Sequence, residues 1–139
     1  MMPSGARSLW LLLTATVVGF AASVLGCASA GPLTPVAVSD IKSVAGKWSG
    51  VVYSSSSQPE SVELTIREDG SYDVVSLQTI GASRGRGKIV IREGRLIIEG
   101  EKGRGVATVL STRSGDRVMN VEATLADNSI LSAKLSPSR

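Results

Sequence analysis

From Gly46 onward, hydrophobic and polar residues alternate in short runs that are separated by turn-forming residues. An alternation with a period of two turns one side of each run toward a core and the other toward solvent, which is typical of half-buried β-strands. Counting the run that begins at Trp48, the pattern predicts about eight strands. The other runs cover residues 61–67, 71–77, 88–91, 96–99, 106–110, 118–125 and 131–135.

The segments between these runs are short and carry turn chemistry, as in Glu68-Asp69-Gly70 and Ser114-Gly115-Asp116. Short links join antiparallel neighbours, and about eight strands that run up and down can close into a barrel that leaves no open edge. We therefore predict an all-β domain over residues 40–139, an antiparallel up-and-down β-barrel. A two-sheet β-sandwich is the alternative, because its local signals are similar.

The first residues have a different pattern, with one positive charge at Arg7 followed by an uncharged stretch from Leu9 to Leu25. That stretch is shorter than the roughly 20 residues of a membrane-spanning helix, and its order of basic, apolar and small residues is typical of an export signal. Val24-Leu25-Gly26-Cys27 resembles the lipobox of bacterial lipoprotein precursors. The resemblance implies cleavage after Gly26 and a covalent lipid on Cys27. Ordinary secretion with cleavage near Ala28-Ser29-Ala30 is the alternative, and an uncleaved anchor is a third.

The predicted organisation is therefore a lipoprotein signal peptide over residues 1–26, a lipidated Cys27 with a flexible linker over 27–39, and the barrel. Pro32 and Pro35 favour extended backbone in the linker. Ser39 and Asp40 are expected to cap one or two helical turns that end near Ala45. The lipid would hold the protein in the cell envelope, at the outer membrane if the source has two membranes and otherwise at the outer face of the plasma membrane.

Removal of residues 1–26 would change the composition, because Trp10 and Phe20 leave with them. The remaining aromatic residues are Trp48, Tyr53 and Tyr72. The remaining chain has 14 basic and 12 acidic residues, which gives a net charge of +2. A small net charge and few stacking rings argue against nucleic acid as a partner.

The sequence gives little support to catalysis, since histidine is absent and the single cysteine is assigned to the lipid. We predict no catalytic residue, no metal site, and no cofactor other than the lipid on Cys27. Ser39 and Lys42 have a Ser-x-x-Lys spacing, but they stand at the end of the linker. The carboxylates between Glu60 and Asp73 are expected on solvated faces and in a turn.

Two glycine-arginine-glycine segments, Gly85–Gly87 and Gly103–Gly105, each precede an apolar run. A phosphate-binding loop needs a helix after its glycines, whereas strand residues follow here. We therefore expect bends in strands with solvated arginines. Residues 84–104 carry seven basic side chains against three acidic ones. This strip fits anionic lipid headgroups or an acidic partner, and equally a charged surface that prevents edge pairing.

Gly46-Lys47-Trp48 opens the first strand after the predicted helical turn. It resembles the Gly-x-Trp signature of lipocalins and related calycin barrels. The resemblance implies that Trp48 closes one end of the barrel, and we take Tyr72 as a second candidate for closing the barrel or binding a ligand. The patch is also similar to small barrel inhibitors of bacterial proteases and to lysozyme-inhibitor lipoproteins. The chain lacks their cysteines, and it is shorter than classical lipocalins.

Two functions are consistent with these features, and neither is enzymatic. The first is a lipid-anchored binding module whose barrel holds a small apolar or amphipathic molecule. The second is a protein–protein module, such as an envelope inhibitor or assembly accessory, that uses the loops at residues 54–59 and 78–83. An open apolar interior would favour the first, and an interior filled by side chains would favour the second.

Overall fold

The computed structural model describes residues 31–77 and 81–139, so the predicted signal peptide and Cys27 lie outside the described residues. Within these ranges the chain forms nine strands and one short 3₁₀ helix, Ile41–Ser43. The strands are β1 (Thr34–Val36), β2 (Gly46–Ser54), β3 (Glu60–Ile66), β4 (Ser71–Leu77), β5 (Ala82–Arg92), β6 (Arg95–Gly100), β7 (Gly103–Ser111), β8 (Arg117–Leu125) and β9 (Ile130–Pro137).

Strands β2 to β9 form one closed antiparallel sheet. Each pairs with the next in chain order, and β9 returns to pair with β2, from Trp48 opposite Pro137 to Ser54 opposite Leu131. The prediction of an eight-stranded up-and-down barrel is therefore confirmed. The β-sandwich alternative is wrong, because the hydrogen-bonded ladder is continuous around the barrel and does not divide into two sheets.

Strands β5 and β7 are longer than the hydrophobic pattern predicts. They begin at Ala82 and Gly103, whereas the apolar runs begin at Lys88 and Val106. In both extensions the inward positions carry glycine or serine in place of large apolar side chains; they are Ser83, Gly85, Gly87, Gly103 and Gly105. A period-two search therefore finds no hydrophobic alternation there, although the backbone continues as a strand.

Gly87 marks a close approach between β5 and β6. It lies opposite Gly100, and a Cβ added to it would overlap the backbone carbonyl oxygen of Glu99. A backbone atom cannot rotate away as a side chain can, so a larger residue would force the strands apart. The glycine therefore allows the close approach of the two strands.

Replacing Gly87 with alanine is expected to lower the free energy of unfolding by about 2–3 kcal/mol, the usual cost of overpacking with a backbone shift. Gly85→Ala is the matched control, because its new Cβ would meet only a methyl group of Val74, at 3.0 Å. The control should lose less than ~1 kcal/mol. Urea unfolding followed by circular dichroism compares the two variants, and equal losses would refute the steric argument.

Part of the segment predicted as a flexible linker is packed on the barrel. Strand β1 pairs with β7, with Thr34 opposite Ser111, and the amide of Val38 donates to the carbonyl of Gly94 at 2.9 Å. The pairing is possible because β7 continues beyond the residues that β6 covers. Strand β1 occupies that free edge, where unpaired backbone groups need partners.

The predicted helical cap is confirmed at Asp40, whose carboxylate accepts a hydrogen bond from the Lys42 amide at 3.0 Å. The 3₁₀ turn that follows is a single one, and Gly46 then opens β2 with a φ of 122°. That left-handed backbone favours glycine, because a Cβ would be strained there. In the part of the chain that the structure describes, no helix is long and apolar enough to cross a membrane.

Candidate functional site

Trp48 lies at the barrel end that carries the turns of residues 67–70, 93–94 and 112–116, which we call the closed end. Its side chain is only 2% exposed, and its indole N–H donates to the carbonyl of Val44 at 2.9 Å. Other fully buried side chains of the core cluster pack at this end; they are Val44, Ile66, Leu96, Val109 and Met119. These contacts fill the closed half of the barrel.

Arg117 supports the tryptophan from outside. Its guanidinium carbon lies 5.6 Å from the centroid of the indole ring, and its side chain donates to the carbonyl of Ser43. The arginine thus joins β8 to the 3₁₀ helix across the face of Trp48, in a cation–π arrangement. Sequence reasoning missed it, because an arginine after a Ser-Gly-Asp turn has no local feature that separates it from other surface arginines.

The opposite end of the barrel, which we call the open end, carries the loops of residues 55–59, 101–102 and 126–129. A cavity of about 340 Å³ opens here into the barrel. Small-molecule sites usually occupy ~300–1,000 Å³, so the volume lies at the lower end of that range. Its apolar wall comes from strands all around the barrel and includes Val52, Leu64, Val74, Ile98, Val121, Ala123, Leu131 and Ala133.

Tyr72 lies in the wall of this cavity. The residue is 7% exposed and stands opposite Gly87, and its hydroxyl occupies the space that a Cβ at Gly100 would need. Burial raises the pKa of the Tyr72 phenol, and the negative charge of Glu101 raises it further. The phenol therefore stays protonated at neutral pH and can donate a hydrogen bond.

The acidic side chains at the open end have polar partners within the protein. The hydroxyl of Ser76 donates to Glu60, and the amide and hydroxyl of Ser129 donate to Asp127 at 2.9 and 2.6 Å. The Ser129 hydroxyl, followed by its amide, lowers the pKa of Asp127, so this carboxylate is ionised at neutral pH. Glu60 was expected on a solvated face, but it is half-buried and lines the cavity, because it begins β3 facing inward.

A basic group lies on another part of the rim. The ammonium of Lys102, in the turn between β6 and β7, donates to the hydroxyl of Ser83 on β5 at 3.2 Å. Arg86 points outward and pairs with Glu101 at 3.2 Å, and Arg104 is also exposed. The two glycine-arginine-glycine segments thus form cavity wall with exposed arginines, as expected from the strand residues that follow them.

The remaining candidates from the sequence do not converge on a reactive centre. Glu63 pairs with Lys47 at 3.1 Å and Asp73 with Arg67, all at the surface, while Asp69 accepts from Ser71 within its turn. Over residues 31–77 and 81–139, no three histidine, cysteine or acidic side chains group as a metal site would require. The open end offers apolar surface and hydrogen-bonding side chains.

The fold and the cavity together define an antiparallel β-barrel that is plugged at one end and open at the other. Comparisons with protein-family models, with curated proteins and with solved structures find no match to this chain.

Proposed function

We propose that the protein is a lipid-anchored cell-envelope protein whose barrel binds a small apolar or amphipathic ligand. The observation that supports this proposal is the cavity of about 340 Å³ with its apolar wall. Such a wall gains free energy when it exchanges water for an apolar molecule. The interior of a barrel this small can be filled by side chains, yet here the inward glycines and alanines of the open half leave room.

The position of the first described residues agrees with an anchor at Cys27. Gly31 lies beside the Arg113 side chain, in the turn between β7 and β8 at the closed end. A lipid four residues earlier in the chain would hold the barrel by its closed end, and the cavity would open away from that membrane. The ligand would then enter from the side that faces the aqueous compartment or another surface.

Filling the cavity is expected to abolish binding without unfolding the barrel. Ala133→Phe places a large ring among the apolar wall residues, since Ala133 faces inward between Val52 and Val121. Steric overlap of this kind costs on the order of 1–3 kcal/mol, so affinity for dodecanoic acid or dodecanol should fall at least about tenfold. Isothermal titration calorimetry of the full-length protein measures it.

The matched control is Ser132→Phe, the neighbouring outward position of β9, which should bind both probes as the wild type does. Circular dichroism and thermal unfolding check that both variants stay folded. If the wild type binds neither probe, or if Ala133→Phe binds both unchanged, the ligand-binding proposal is wrong.

A second candidate function is docking of an envelope protein on the open end. The supporting observation is a set of exposed apolar side chains near it: Tyr53 is 55% exposed, Leu77 61% and Ile130 62%. Apolar residues grouped near a rim favour an interaction surface. A protein partner bound there from outside would be retained by Ala133→Phe, whereas an internal ligand would be lost, so the same variant separates the two functions.

A further inference from the structure

One part of the cavity wall carries hydrogen-bond donors whose capacity is not used within the described residues. The Tyr72 hydroxyl, in a residue that is more than nine-tenths buried, has no hydrogen-bond partner there. Since no fully buried side-chain oxygen or nitrogen of these residues lacks a partner, this hydroxyl keeps some contact with the cavity space. A buried phenol usually has a hydrogen-bond partner. A phenol that points into a cavity can donate its hydrogen bond to a bound ligand.

The rim above this hydroxyl adds two further donors. The Lys102 ammonium can donate three hydrogen bonds and, among the described residues, makes one, to the Ser83 oxygen, which leaves the Ser83 proton without an acceptor among these residues as well. Gly100, against which the Tyr72 hydroxyl lies, pairs with Gly103, and Lys102 stands in the turn between them. The donors therefore follow one path along β4, β5 and the β6–β7 turn, from the interior to the rim.

The carboxylates at the open end already have polar partners among the described residues. Glu60 and Asp127 receive hydrogen bonds from Ser76 and Ser129, and Glu101, whose charge acts on Tyr72, pairs with Arg86 at 3.2 Å. The free donor capacity of Tyr72, Ser83 and Lys102 favours a ligand group that brings its own oxygen atoms. A positively charged donor favours a negative charge on that group.

We propose that the cavity takes an anionic amphiphile, whose carboxylate or phosphate lies between Tyr72 and Lys102 and whose hydrocarbon chain occupies the apolar cavity. The proposal rests on the proposed ligand-binding function and adds the chemical class of the ligand. Ser83 holds the Lys102 side chain at the rim and can donate to the same headgroup. The chain is of medium length, because a cavity of about 340 Å³ holds only about eleven water volumes.

A headgroup series with one chain length tests this inference by calorimetry on the full-length protein. The probes are dodecanoic acid, dodecyl phosphate, dodecanol and dodecylamine, each below its micelle concentration. The wild type should bind an anionic probe about tenfold or more tightly than dodecanol, and dodecylamine most weakly, because a charged hydrogen bond is stronger than a neutral one. The two anionic probes distinguish a carboxylate site from a phosphate site.

Two variants test whether Lys102 and Tyr72 cause the preference for an anionic headgroup. Lys102→Met should weaken the anionic probe about tenfold, leave dodecanol unchanged and reduce the salt dependence of binding, to which the arginines at the rim also contribute. Tyr72→Phe keeps the aromatic ring and removes the hydroxyl, and it should weaken binding of the anionic probe about fivefold. Their controls are Lys134→Met and Tyr53→Phe, an exposed cation and an exposed phenol on outward positions, which should change nothing. If one headgroup contacts both residues, their effects on affinity are not independent. The loss of affinity in the double variant Lys102→Met/Tyr72→Phe then differs from the product of the losses in the two single variants.

The outcomes distinguish failure of the anionic headgroup site from failure of the proposed ligand-binding function. If dodecanol and dodecylamine bind as well as the acids and Ala133→Phe weakens all of them, the cavity binds ligands and the anionic headgroup site is wrong. Tighter binding of dodecylamine would instead assign the headgroup to Glu60 or Asp127. If no probe responds to Ala133→Phe, the proposed function itself fails.

Discussion

Replacing Trp48 with alanine is expected to lower the free energy of unfolding by about 3–5 kcal/mol, the range for truncation of a large buried aromatic side chain. The indole is 2% exposed and lies between the barrel core and the segment around Val44. Its removal leaves a cavity at the closed end. It also leaves the Val44 carbonyl without its hydrogen bond and Arg117 without the ring beneath it.

Urea unfolding followed by far-ultraviolet circular dichroism measures the change. Tyr53→Ala is the matched control, since it removes an aromatic ring from the same strand at a position that is 55% exposed, and it should cost less than about 1 kcal/mol. Trp48→Phe keeps most of the packing and loses the indole N–H, so it should fall between the two, at about 1–3 kcal/mol. Near-wild-type unfolding of Trp48→Ala would exclude a plugging role.

Replacing Cys27 with serine is expected to abolish lipid attachment altogether, because the thiol is the only group of its kind in the chain. The lipobox resemblance of Val24-Leu25-Gly26-Cys27 predicts that the wild type takes up a labelled fatty acid and fractionates with membranes. A stable acyl anchor depends on its hydrocarbon chains, at about 0.8 kcal/mol per buried methylene, so its loss should release the protein.

Metabolic labelling with an alkyne fatty acid, followed by membrane fractionation, measures both effects in the producing cell. Ser29→Ala, a substitution two residues downstream, should keep the label. A wild type that takes up no label, with a mature chain that begins near Gly31, would instead support ordinary secretion. Membrane association of Cys27→Ser equal to that of the wild type would show that the barrel itself or an uncleaved anchor holds the protein.

The barrel was predictable from the sequence where its interior is apolar. The run from Ser71 to Leu77 matches β4 in full, and the alternation from Val118 to Leu125 gives β8 to within one residue. Such strands can be recognised from the sequence, because most of their inward side chains are hydrophobic and many of their outward ones are polar or charged. Turn residues such as Gly70 and Gly94, both with positive φ, mark the hairpins locally.

The open half was harder to predict, because its inward residues are small. Gly85 and Gly103 leave no hydrophobic signal, so the sequence could show bends but not the cavity that those residues help to form. The packing of β1 against β7 and of Arg117 against Trp48 are contacts between distant parts of the chain. Local patterns carry no information about such pairs, and only the closed topology brings them together.

The two ends of the barrel have a practical consequence for changing this protein. The plug, the 3₁₀ turn and β1 all belong to the closed end, and Ser55 is held by its hydrogen bonds to Ile130, so the loop residues 56–58 can vary with little loss of stability. Residues there are exposed and polar, and random libraries at these positions would alter what the mouth recognises while the scaffold stays intact. The binding site that we propose and the packed core thus lie at opposite ends of the barrel axis.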